Sequence, residues 1–99
     1  MSDNYKDYIE DAKKELSDFQ ELMKEERLNF SDRKSFFKWY LENNDVVRKY
    51  HDVARYNEHP FKDSEFSETV HTEIFNAYYD TVNLFSELLL GYKVLKDRS

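Results

Sequence analysis

Apolar side chains recur every three or four residues along almost the whole chain, which is the helical period. From about Ser2 to Leu28, Tyr5, Ile9, Ala12, Leu16, Phe19 and Met23 follow at alternating spacings of four and three, and Tyr8 and Leu22 widen the seam. Asp3 and Asp7 fall in the first turns, Lys24 and Arg27 in the last. Both placements suit the helix dipole. Asn29 reads as a C-cap, and Ser31 or Asp32 as the N-cap of the next element.

A second periodic segment runs from about Asp32 to Tyr56, with Phe36, Trp39 or Tyr40, Val46 or Val47, Tyr50, Val53 and Ala54 on its apolar face. Glu42-Asn43-Asn44-Asp45 interrupts the pattern. Two readings fit: one helix with Asn43 on its seam, or a break with Asn44 closing one helix and Asp45 opening the next. The unbroken helix is the expected form. Pro60 disfavours helix at His59, so Asn57 to Asp63 reads as a loop and Ser64 as an N-cap.

The third segment, about Glu65 to Lys96, carries apolar residues as adjacent pairs, among them Ile74-Phe75, Leu84-Phe85 and Leu88-Leu89. A stripe this wide faces more than one neighbour. A continuous helix of this length spans roughly 48 Å. Gly91 either stays inside it, admitting a close neighbour, or ends it.

The expected fold is therefore all-α: a single domain, residues 1–99, folded as an antiparallel three-helix bundle with helices at about 2–28, 32–56 and 65–96. The third helix is the longest. Its end, with Leu84, Leu88, Leu89, Tyr92 and Leu95, either packs within the chain or pairs with a second copy as a homodimer.

Composition sharpens this picture. One Gly and one Pro leave little material for sheets and tight turns. Eight Phe, eight Tyr and one Trp exceed what a chain of 99 residues hides easily, so some are expected at a contact surface. With no cysteine, disulfides, thiolate metal sites and a Cys nucleophile are excluded. The charged, periodic N-terminus is unlike a signal peptide, and runs such as Leu88-Leu89-Leu90 are too short to span a bilayer. A cytoplasmic protein is the expectation, and the Lys-, Asn- and Tyr-rich composition suits an AT-rich bacterial or phage genome.

The net charge of −6 is unevenly spread. From Asp63 to Tyr92 there are acids but no Lys or Arg, and Glu73, Asn76, Asp80, Asn83 and Glu87 form a polar stripe at spacings of three and four. With Glu65 this is either a solvated face or an acidic surface for a basic partner. The middle segment holds Arg33, Lys34, Lys38, Arg48, Lys49 and Arg55. A direct nucleic-acid role needs a basic footprint over the whole domain, which a protein of this charge lacks.

No constellation reaches catalysis. Glu68 and His71 share a helix face at the spacing of di-iron bundles, but those sites need a second such pair and two further Glu. His51, Asp52 and His59 lack triad partners, and one glycine cannot build a phosphate loop. The expectation is a non-enzyme without metal or cofactor that binds another protein. One form is an acidic inhibitor or adaptor, of the kind a phage or mobile element encodes, that blocks a host nucleic-acid-processing enzyme through Glu65, Glu73, Asp80 and Glu87. The other is an immunity or regulatory bundle that binds a toxin, receptor or signalling protein through the aromatic anchors Trp39, Tyr40 and Tyr56, with Tyr50, Phe61 and Tyr79 as further candidates.

Overall fold

The computed structural model describes residues 4–98, with side-chain surroundings through Gly91. All regular structure among these residues is helical: α1 (Asn4–Asn29), α2 (Arg33–Asn43), α3 (Asp45–Tyr56) and α4 (Ser67–Arg98). The chain forms a rod of 55 × 19 × 19 Å.

Pairs of touching residues give the directions. The Gln20 amide donates to the Thr81 hydroxyl at 2.8 Å and Arg27 Nε to the Leu88 carbonyl at 3.4 Å, both 61 residues apart. The ion pair of Lys13 with Glu73 continues that series. A constant offset means that α1 and α4 run parallel. Against α4 the pairs Tyr40–Phe85, His51–Tyr78 and Val53–His71 run in opposite orders, so α2 and α3 descend alongside the two ascending helices.

The expected second helix is broken, which corrects the unbroken reading. Asn44, at φ −89° and ψ 24°, leaves helical geometry and separates α2 from α3. The Asn43 side-chain amide donates to the Trp39 carbonyl at 2.8 Å, the local competition with backbone pairing for which Asn is known. Asp45 then lies in the first turn of α3, and Arg48 N–H bonds the Asn44 carbonyl at 2.9 Å. The architecture thus has four helices instead of three.

Caps set the other boundaries. Asp32 accepts from Ser35 N–H at 2.8 Å and Ser35 Oγ at 3.1 Å, starting α2, and these bonds hold its carboxyl below the usual carboxylate range. Asn57 closes α3 in the left-handed region, φ 57°, with its N–H on the Val53 carbonyl at 3.0 Å. Ser64 Oγ accepts from Phe66 N–H at 3.1 Å and donates to the Phe61 carbonyl at 2.8 Å. The Ser64 cap therefore serves a tight turn, and α4 begins at Ser67 instead of Glu65.

The core is the predicted α1 seam, Ile9, Ala12, Leu16, Phe19 and Met23, closed by Phe36, Tyr40, Val47, Tyr50, Val53, Val70, Ile74 and Phe85. Aromatic rings tie the helices together. Tyr5 stacks on Phe66 at 4.0 Å, Trp39 lies between Phe19 and Phe36, and Tyr40 stacks on Phe85 at 3.7 Å. Such pairs add about 0.5–1.5 kcal/mol beyond area burial. Gly91 lies inside α4, where an added Cβ would meet the Arg27 guanidinium at 2.7 Å. It stays within the helix and leaves room for that side chain.

Candidate functional site

The Glu-x-x-His pair is taken apart by the packing. His71 is half-buried, and its Nδ1–H donates to the Val53 carbonyl at 2.9 Å, the same oxygen that receives the Asn57 N–H. It serves the C-terminus of α3 and is not simply a surface histidine, while Glu68 stays exposed. Among the described residues no three His, Cys, Asp or Glu side chains gather as a metal site would require.

His59, expected in a loop, is buried there. Phe61 N–H donates to its Nδ1 at 3.2 Å. The proton therefore sits on Nε2, which faces Asn57 Oδ1 at 2.9 Å. Phe61 in turn packs on Tyr5 and Tyr8 of α1. These histidines hold the fold's lower end together.

The predicted aromatic anchors divide. Tyr40 is only 8% exposed and Trp39 is half-buried among Phe19, Phe30 and Phe36. Tyr40 therefore cannot present a ring to a partner, and Trp39 presents an edge at most, because helices α1 and α4 cover their apolar faces. Tyr50 is also core: its hydroxyl donates to Glu15 at 2.6 Å beside Lys49. Tyr56 and Tyr79 are exposed, with Arg55 above the Tyr56 ring at 5.3 Å.

The acidic stripe divides too. Glu73 is paired with Lys13 across the α1–α4 seam, and Glu65 lies in the turn before α4. Asp80 and Glu87 stand exposed on α4. Of the leucines at the end of α4, Leu84, Leu88 and Leu89 are half-buried against the core. The side chains of Tyr92 and Leu95 lie outside the described surroundings. Between α1 and α3 a shallow groove of 260 Å³ is lined by Glu15, Asp18, Phe19, Leu22 and Val46.

Sequence reasoning passed over other exposed apolar side chains: Phe37, Leu41, Phe75 and Leu90. Phe75 belongs to a ladder, His71–Phe75 at 5.8 Å and Phe75–Tyr79 at 4.7 Å, on the side of α4 that packs against α3. Phe37 lies 6.1 Å from Phe85 on the same side, near the other end of the rod. The adjacent apolar pairs of α4 were the available signal, since one member of each must point away when only one neighbour covers that side.

No protein-family model matches this chain, and neither a curated protein nor a solved structure is significantly similar to it. Among the described residues no helix is long and apolar enough to cross a membrane.

Proposed function

We propose that this chain is a non-enzymatic protein-binding module whose working surface is the exposed aromatic side of α4 with the adjoining edge of α2 and α3. One observation carries this reading. Of the eight large hydrophobics that stand exposed among the described residues, five (Phe37, Leu41, Phe75, Tyr79 and Leu90) belong to that side. Contiguous exposed apolar patches mark interaction sites more often than scattered single residues do. Exposed Tyr and Phe at low conformational cost are also the usual anchors of interfaces. This favours binding through aromatics, as in an immunity or regulatory bundle, with Tyr79 and Phe75 in the place first given to Trp39 and Tyr40.

A second reading keeps the acidic face. Asp80 and Glu87, exposed seven residues apart on α4, support docking on a basic partner, such as a nucleic-acid-processing enzyme. Self-association through the end of α4 would rest on Leu90, with Leu28 at the end of α1 also largely exposed.

A side-by-side titration separates these readings. A partner recovered with the wild-type chain is titrated with a Phe75→Ala/Tyr79→Ala variant and an Asp80→Lys/Glu87→Lys variant. Loss in the aromatic variant with little salt dependence is expected. Loss in the charge-reversed variant alone, with affinity falling as salt rises, would transfer the function to the acidic face.

A further inference from the structure

Two stripes of exposed side chains border the seam between α4 and the descending helices. On α4, Phe75, Tyr79, Ser86 and Leu90 follow one another at helical spacing. On the other border, Phe37 and Leu41 are one turn apart on α2, and Arg48, His51 and Arg55 follow at spacings of three and four on α3. Contacts place the two borders together. Phe37 lies 6.1 Å from Phe85, and His51 meets Tyr78 edge-on at 5.6 Å. The Arg55 charge acts on the Tyr78 hydroxyl.

The antiparallel pairing gives this channel a polarity. Its Phe37–Leu41 end is apolar. Its Phe75–Tyr79 end is aromatic and edged by Arg48 and Arg55, with the exposed Asp52 carboxylate 3.7 Å from the His51 ring between them. Glu68 lies only at its foot.

The geometry points to this channel as the docking site for an acidic amphipathic helix of another protein, an inference that rests on the protein-binding reading above. Apolar anchors spaced as on a helix suit the helix-in-groove mode. From Phe75 to Leu90 the channel runs about 22 Å, the length of roughly fifteen helical residues. The exposed guanidinium groups of Arg48 and Arg55 select carboxylates on the incoming helix and oppose lysines. A second copy of the chain fits poorly. Its outer α1 face supplies carboxylates at Asp18, Glu21 and Glu25 but only two exposed leucines, Leu22 and Leu28, six residues apart and so not on one helical line; the oligomeric state tests it.

The test is a titration of the isotope-labelled full chain with designed helical peptides of about sixteen residues, followed by backbone-amide NMR. One peptide carries Leu at i, i+3, i+7 and i+10 with Glu elsewhere, one has Lys for every Glu, and one keeps Glu but lacks the leucines. Only the first should bind, with shifts along Phe37, Leu41, Arg48 and Tyr79. Tyr79→Ala, or Arg48→Glu with Arg55→Glu, should weaken it by about tenfold or more without loss of helix. Equal binding of the Lys peptide, or shifts centred on Asp80 and Glu87, overturns the partner class and leaves the protein-binding reading standing. So does a homodimer in light scattering that Tyr79→Glu dissociates. No shift with any peptide at millimolar concentration overturns both.

Discussion

Gln20 and Thr81 meet at the middle of the parallel α1–α4 seam, where the Gln20 amide donates at 2.8 Å to a hydroxyl that is fully buried. Thr81 Oγ1 also donates to the Ala77 carbonyl at 3.0 Å, so the hydroxyl is satisfied twice within an apolar stretch of α4. A slip of either helix by one turn would break the Gln20 bond and strand its amide, while the Ala77 bond within α4 survived, which makes the pair a register lock. Thr81→Val should cost about 1–2 kcal/mol, because it strands a half-buried amide. Adding Gln20→Leu should recover much of that loss, since both partners are then apolar. Urea unfolding of the four-member cycle measures the coupling. Equal, additive losses would show that the pair sets nothing.

Of the positions legible as a seam in α1, Ile9, Ala12, Leu16, Phe19 and Met23 are buried, Tyr5 and Tyr8 are half-buried at its start, and Leu22 stands exposed. Strict periodicity in a long helix needs no knowledge of its neighbours. The interruption at Asn43-Asn44 was visible, but whether it breaks a helix depends on the direction that Trp39, Tyr40 and Val47 must face across it. The aromatic anchors were harder still. Trp39 and Tyr40 look like hot-spot residues until Phe19 of α1 and Phe85 of α4 cover them. Phe75 looks like core, and Tyr79 only like a lesser anchor, until it is seen that α3 covers only one member of each adjacent pair. Periodicity gives the angle of a side chain on its own helix and does not say which angles other helices will occupy.

Core and surface aromatics should therefore respond differently to truncation. Phe85 touches Phe36, Phe37 and Tyr40 and is nearly buried. Phe85→Ala should cost about 3–5 kcal/mol, a large part of the roughly 5–15 kcal/mol that stabilises a small domain. Tyr79→Ala, at a half-exposed site, should change stability by about 0.5 kcal/mol or less. Denaturant midpoints decide it. A comparable loss at Tyr79 would place that ring in the core and remove it from the proposed channel.

Asn44 offers a gain. Its side-chain Oδ1 is buried and, among the described residues, stands without a hydrogen-bond partner. A stranded buried acceptor costs about 1–3 kcal/mol. Asn44→Leu removes it at a position where the side chain makes no capping bond. The variant should melt higher than wild type. A lower melting temperature would mean that the break between α2 and α3 requires the asparagine.

Burial raises the hydroxyls of Tyr8, Tyr40, Tyr50 and Tyr78, and alkaline unfolding should trace mainly to the two shifted furthest, Tyr50 and Tyr40. Burial and the Glu15 carboxylate push the Tyr50 hydroxyl far above its ordinary value, and burial pushes Tyr40 up to about 12. A raised folded pKa gives stability that is whole below the unfolded value near 10 and is lost as pH rises above it. Stability should be flat from pH 8 to about 9.5 and then fall. Tyr50→Phe should cost about 1.5 kcal/mol at pH 8, the worth of a hydroxyl on a carboxylate, and should flatten the alkaline slope. An unchanged slope in the variant would shift the alkaline loss to other groups.

Acid sensitivity should begin at His59, well before any carboxylate titrates. Its Nδ1 accepts the Phe61 N–H and its Nε2–H donates to Asn57, so both ring nitrogens are committed with the ring neutral. A second proton on Nδ1 would set two donors against each other and release Phe61, whose ring rests on Tyr5 and Tyr8. Burial first, then the neighbouring His71 and Lys62, hold its pKa below the usual histidine value. A lowered folded pKa means that the unfolded chain binds the proton first. The contribution is therefore complete above about pH 6.5 and declines as pH falls through the folded value. Asp32, also lowered, acts in a separate window near pH 4 and below. The melting temperature should drop between pH 7 and 5, and the amides of residues 57–66 should exchange with solvent faster over that range. His59→Gln should be less stable at pH 7 and lose most of this pH dependence. NMR titration placing the His59 pKa at or above 6.5, or an acid response unchanged in His59→Gln, would end the explanation.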